Sequence, residues 1–88
     1  MFEWDEAKRL AVLADRGIDF EDAWRVFDGR LVHHVASPRN DEDRLVSIAE
    51  IDGKFYAVVW TWRGDNQRII SFRRARHVEE RAYRQVHG

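Results

Sequence analysis

Arg44-Leu45-Val46-Ser47-Ile48-Ala49-Glu50-Ile51-Asp52-Gly53-Lys54-Phe55-Tyr56-Ala57-Val58-Val59-Trp60-Thr61-Trp62 is the stretch that decides the fold. Two runs rich in β-branched and aromatic residues flank Asp52-Gly53, the strongest short hairpin signal a sequence carries. An antiparallel sheet is therefore expected. Working outward, Arg63-Gly64-Asp65-Asn66 reads as the next turn and residues 68–75 as the last strand. On the other side residues 31–36 read as a strand, followed by a polar loop over 37–43. Residues 77–86 form a polar helix with Val78, Ala82 and Tyr83 as its apolar contacts.

The N-terminal third changes period. Phe2-Glu3-Trp4 alternates as a short first strand does, and Asp5 is an N-cap with Glu6 in the first turn, where negative charge suits the helix dipole. Ala7, Leu10, Ala11, Leu13 and Ala14 recur at helical spacing up to Arg16, and Gly17 supplies the stop. Asp19 caps a second helix, whose buried side is Phe20, Ala23, Trp24, Val26 and Phe27 and which ends at Asp28-Gly29. The expected architecture is α+β, with two N-terminal helices in a hairpin, a four-stranded antiparallel sheet and a C-terminal helix.

At 88 residues the chain is one domain, 1–88, with a small core. There is no Cys, which excludes disulfides, thiolate zinc sites and Cys nucleophiles. No apolar run approaches a membrane span and no signal-peptide core follows Met1, so the expected location is cytoplasmic. Residues 1–43 carry six Lys/Arg against eleven Asp/Glu, a balance of −5, and residues 44–88 carry nine against five, a balance of +4. All but Lys8 and Lys54 of the fifteen basic residues are Arg, whose bidentate fork suits phosphate and carboxylate alike.

The chemistry concentrates in Arg68-Ile69-Ile70-Ser71-Phe72-Arg73-Arg74-Ala75-Arg76. Simple alternation puts Arg68 and Arg74 on one face with Ile70 and Phe72, and Arg73 on the other with Ile69 and Ser71. Two readings stay open, a solvated strand with charged ends and a phosphate site. Arg44 opens a neighbouring strand, and Tyr56, Trp60 and Trp62 lie between. Guanidinium groups beside aromatic faces suit single-stranded RNA, although core packing accounts for such aromatics equally well. His33 and His34 are adjacent, so on a strand they point apart and cannot share a metal, and no metal-ligand motif accompanies them. His33, His34 and His77 are unplaced candidates for a general base. No metal and no cofactor is called for.

Several segments together resemble the BrnT toxin family. Phe2-Glu3-Trp4-Asp5-Glu6-Ala7-Lys8 is similar to an F-E-W-D-x-x-K opening, and Gly17-Ile18-Asp19-Phe20-Glu21-Asp22-Ala23 with Val26-Phe27-Asp28 to a G-[VI]-x-F-x-x-A…V-F-x stretch. Arg44 after Asp43 matches the arginine opening the second strand. Arg68-Ile69-Ile70-Ser71-x-Arg73-Arg74-Ala75 resembles an R-I-I-S-x-R-[RK]-A signature, and Glu80-Arg81 with Tyr83 approaches an E-R-x-x-Y tail. The chain departs from the pattern at Asp15-Arg16, where many members carry Lys-His, and at Phe72, where a small residue is common.

The resemblance implies a RelE-like fold and a metal-independent endoribonuclease toxin of a type II toxin–antitoxin module. It also implies a BrnA-like antitoxin with a DNA-binding domain, through which alone operator DNA is reached. Arg44, Arg68 and Arg73 are assigned to stabilising the reacting phosphate, and Arg16, Trp62, Arg74, Arg76, Arg81 and Tyr83 to holding the substrate. The alternative is a catalytically inactive toxin-like protein that binds an antitoxin or nucleic acid.

Overall fold

The computed structural model describes residues 1–37 and 42–88, and the middle of the expected polar loop, 38–41, lies outside them. Among the described residues five strands form one mixed sheet in the order β1-β5-β4-β3-β2: β1 (Phe2–Trp4), β2 (His33–Ala36), β3 (Arg44–Ile51), β4 (Lys54–Arg63) and β5 (Asn66–Arg74). With them come α1 (Glu6–Arg16), a 3₁₀ helix (Phe20–Phe27) and α2 (His77–His87).

This corrects the expected four-stranded antiparallel sheet with two N-terminal α-helices. β1 joins the sheet by pairing parallel to β5, with Glu3 opposite Arg68 and Trp4 opposite Ile69. Three residues carry too little periodicity to announce a partner that lies 65 residues further along the chain. The second helix is 3₁₀ because its apolar residues recur every three positions. Phe20, Ala23 and Val26 are all fully buried, a spacing that stacks side chains in one row at three residues per turn. Trp24, expected on the buried side, falls off that row and is 51% exposed.

Local chemistry sets the remaining boundaries. The Asp5 carboxylate accepts the Lys8 amide at 3.3 Å, and the Gly17 amide closes on the Leu13 carbonyl with Gly17 at φ 68°. Asp52 and Gly53 both take positive φ, 52° and 81°, as a two-residue turn between twisted strands demands. That turn locks Ile51 opposite Lys54, and the β3–β4 register follows from it to Arg44 opposite Thr61.

The sheet has a core on each side. On the α1 side Phe20, Ala23 and Val26 pack on Ala49, Ile51, Val58, Trp60, Ile69 and Phe72, with Val12 and Ile18 closing around them. The buried Trp60 indole donates to the Ser47 hydroxyl at 2.8 Å, and Ser47 meets His34 Nδ1 at 2.7 Å. On the α2 side a smaller cluster of Ile48, Phe55 and Ala57 packs against Val46, Ala75 and Tyr83. Helix α2 buries no residue completely. It is held through Tyr83, edge-on to Phe55 with ring centroids 5.1 Å apart, and through His87, which donates to the Val32 carbonyl at 2.9 Å.

A β-bulge decides which arginines share a face. Val59 pairs with Ser71 but Trp60 pairs with Ile69, leaving Ile70 as an extra residue. The two halves of β5 therefore alternate out of phase. Arg68, opposite Thr61, and Arg73, opposite Ala57, both point to the α2 side, whereas Ile69 and Phe72 both enter the α1-side core. The separation of Arg68 from Arg73 expected from simple alternation is thereby corrected.

Candidate functional site

Arg44 and Arg68 flank Thr61 across three adjacent strands on the α2 side. Two strand spacings put their backbones about 10 Å apart. Thr61 is itself fixed, its hydroxyl donating to the Asp43 carbonyl at 2.8 Å. The Arg44 guanidinium donates through Nε and Nη2 to Glu42 at 3.3 and 3.2 Å. Arg68 donates through Nη1 to Glu3 at 2.9 Å. The Glu3 carboxyl is held below the usual carboxylate range, first by the Asn66 amide and then by Arg68. Both guanidinium groups are thus aimed by a carboxylate, while Nη1 of Arg44 and Nε and Nη2 of Arg68 have no hydrogen-bond partner among the described residues.

Arg73 is placed differently. Opposite Ala57 it stands four residues along β4 from Thr61, roughly 13 Å from the Arg44–Arg68 row. Its fork closes on Glu79 with two bonds of 2.7 and 2.9 Å, and Glu79 also accepts the Arg76 amide at 2.7 Å. The hydrogen bonds from Arg73 press the Glu79 carboxyl below its ordinary value, and Glu79 in turn raises Arg73. Arg73 ties β5 to the first turn of α2.

Around these groups lie three cationic pockets that share lining residues and are taken together as one groove. A first section of about 560 Å³ lies between β3, β5 and α2, with Arg44, Arg73 and Arg76 on its walls and Val46, Ile48, Val59 and Ile70 beneath. A second of about 260 Å³ contains Arg44, Arg63 and Arg68. A third of about 580 Å³ lies between α1 and β5 and contains Arg16, Arg73 and Arg76. Lys8 lines all three. Among the described residues seven cationic side chains line the groove against the carboxylates of Asp5, Asp15, Glu42 and Glu79. Lys8 was not singled out from the sequence as a site residue, although it closes the F-E-W-D-x-x-K segment.

The groove gathers Arg16, Arg44, Arg68, Arg73 and Arg76 of the residues assigned from sequence. Others stand apart. Trp62 opposes Gln67 on the α1 side, 59% exposed and edge-on to Trp60. Tyr56 and Trp60 also pack on that side, so β4 offers the groove no aromatic platform. Arg74 is on that side too, over the Tyr56 ring at 5.5 Å. Tyr83 is packed on Phe55 beneath α2, and Arg81 is exposed on α2 outside the groove lining. His34 meets Ser47, also on the α1 side, and burial first, then His33, lowers its pKa. Among the described residues no group of three His, Cys, Asp or Glu is placed to hold a metal ion, and no helix is long and apolar enough to cross a membrane.

Fold and groove define a small α+β domain that presents a cationic cleft across one sheet face and around its open edge. A family model described as ribonuclease toxin, BrnT, of type II toxin–antitoxin system matches residues 4–79, and the chain belongs to this family. No curated protein matches it. The family expected from the motifs is thus the family found, with RNA as substrate class and an antitoxin as partner.

Proposed function

We propose that this chain is an active, metal-independent endoribonuclease whose substrate runs through the groove, with Arg44 and Arg68 at the reacting phosphate. The observation that carries the reading is the Arg44–Thr61–Arg68 row, where two guanidinium groups, each paired with a carboxylate, line one pocket with N–H donors to spare. The RNA 2′-hydroxyl attacks the adjacent phosphorus, the bond to the 5′-oxygen breaks, and a 2′,3′-cyclic phosphate and a 5′-hydroxyl result. Protons leave the 2′-oxygen to solvent and reach the 5′-oxygen from it. The charge on the pentavalent phosphorane is met by the two arginines, and losing one preorganised donor of this kind costs ~10²–10³ in rate. The cation excess of the groove disfavours a divalent ion and supports metal independence. Arg16 and Arg76 hold flanking phosphates, and Arg73 positions α2.

A BrnA-like antitoxin inhibits by covering the groove with carboxylates, and operator DNA is engaged through its DNA-binding domain. A second reading, an inactive toxin-like protein that keeps only antitoxin or nucleic-acid binding, is favoured by Asp15, which brings a carboxylate into the groove beside Arg16. Purified protein incubated with a long RNA, with and without EDTA, tests both. Cleavage that survives EDTA and stops on 2′-deoxy substitution at the cut position is the expected result. Cleavage that needs magnesium removes metal independence, and no cleavage at all favours the second reading.

A further inference from the structure

We infer that Lys8, with Ser71 and Arg76, forms an anion site that holds one phosphate of the RNA at the junction of the groove. The assignment rests on the ribonuclease reading for the identity of the anion as RNA. Lys8 leaves the first turn of α1 at a point fixed by the Asp5 cap. Strand β1 pairs with β5 only from Gln67 to Ile69, so beyond Ile69 that edge of β5 has no partner strand among the described residues. Lys8 shares pocket linings with Ile70 and Ser71 of this edge. It lines each section of the groove, and Ser71 and Arg76 line two of the same three.

The competing cations are engaged. Arg44, Arg68 and Arg73 each hold a carboxylate, and Arg16 sits 3.6 Å from Asp15. Among the described residues neither the Lys8 ammonium nor the Arg76 guanidinium makes an ion pair. A phosphate arriving there displaces no internal carboxylate. The Ser71 hydroxyl, brought to this face by the bulge, adds a neutral donor. A compact ammonium suits a single phosphate oxygen approached from above an edge, where a planar fork has no second acceptor to match.

The test is binding of a single-stranded RNA made uncleavable by 2′-O-methyl substitution, followed by fluorescence anisotropy over a series of salt concentrations. Lys8→Gln should bind more weakly, and the slope of log affinity on log salt should flatten by about 0.7, the value of one phosphate contact on a single strand. Arg76→Gln should do the same. The double variant should lose less than the sum, because both touch one phosphate. Lys8→Arg should recover the slope. Lys54→Gln, at the exposed hairpin end of β4, should leave it unchanged. A Lys8→Gln protein with a wild-type melting curve, affinity and slope overturns the site. Wild type that binds this RNA through Lys8 but fails to cut the unmodified strand refutes the ribonuclease reading and leaves the site standing. Wild type that binds no RNA refutes both.

Discussion

Arg73→Ala separates an architectural arginine from a catalytic one. The pair it breaks is bidentate, 2.7 and 2.9 Å, with Arg73 and Glu79 side chains only 15% and 16% exposed. Breaking a fully buried pair costs about 3–5 kcal/mol, and exposed pairs are worth about 0.2–1 kcal/mol. This pair lies between those limits, so a loss of about 2 kcal/mol is expected. For a domain of this size that lowers Tm by about 8–16 °C. The loss falls on α2, which keeps the Tyr83–Phe55 and His87–Val32 contacts but has no fully buried residue to hold it. Thermal melts of Arg73→Ala, Glu79→Ala and the double variant measure the coupling, and the double variant should lose clearly less than the two singles together. Specific RNA cleavage, assayed well below the lowered Tm, should stay within about threefold of wild type, far from the ~10²–10³ loss of a phosphate-stabilising group. An unchanged Tm with cleavage reduced by that larger factor refutes the reasoning and returns Arg73 to the catalytic set.

Arg44→Ala and Arg68→Ala should each reduce cleavage by ~10²–10³, with thermal melts shifted less than in Arg73→Ala, and full activity in both moves the reacting phosphate elsewhere. Ser47→Ala should destabilise by about 1–3 kcal/mol, because it orphans the buried Trp60 N–H, and an unshifted denaturant midpoint argues against that chain of bonds. Glu79 is depressed below 4.5 by Arg73, so its contribution is present above pH 4.5 and lost as pH falls further; Glu6 and Asp28, at about 2, extend that loss toward pH 2. Chemical denaturation from pH 7 to 3 should show this decline, less steep in Glu79→Gln. The depressed His34 adds a shallower loss as pH falls below 6.5, and a His34→Ala protein with the same slope there excludes it.

Much of this protein follows from local sequence alone, because the interactions concerned close within a few residues. The β3–β4 hairpin comes from Asp52-Gly53, whose backbone can adopt two positive φ angles in succession. Helix α1 comes from the Asp5 cap, an apolar stripe and the Gly17 stop. The family was legible too, since its motifs are ordered strings along the chain. The groove was legible as a composition, an arginine-rich second half, and not as a geometry. Period three in Phe20, Ala23 and Val26 was present in the sequence as the signature of a 3₁₀ helix, but helical spacing absorbs it when only a few residues are available.

Tertiary structure decided which charges meet. Glu3 and Arg68 become partners only once β1 lies parallel to β5, a pairing that depends on the whole hairpin being folded between them. The extra residue Ile70 reverses the alternation of β5, because the Trp60–Ile69 and Val58–Phe72 contacts of the core cost more to give up than one unpaired strand position. That single slip brings Ser71 and Arg73 to the side of Arg44 and Arg68, and puts Arg74 on the opposite side. Lys8 reaches the groove because β1 is three residues long and stops short of Ser71. Local propensity has no term for any of these, since each is settled by packing between segments distant in the chain.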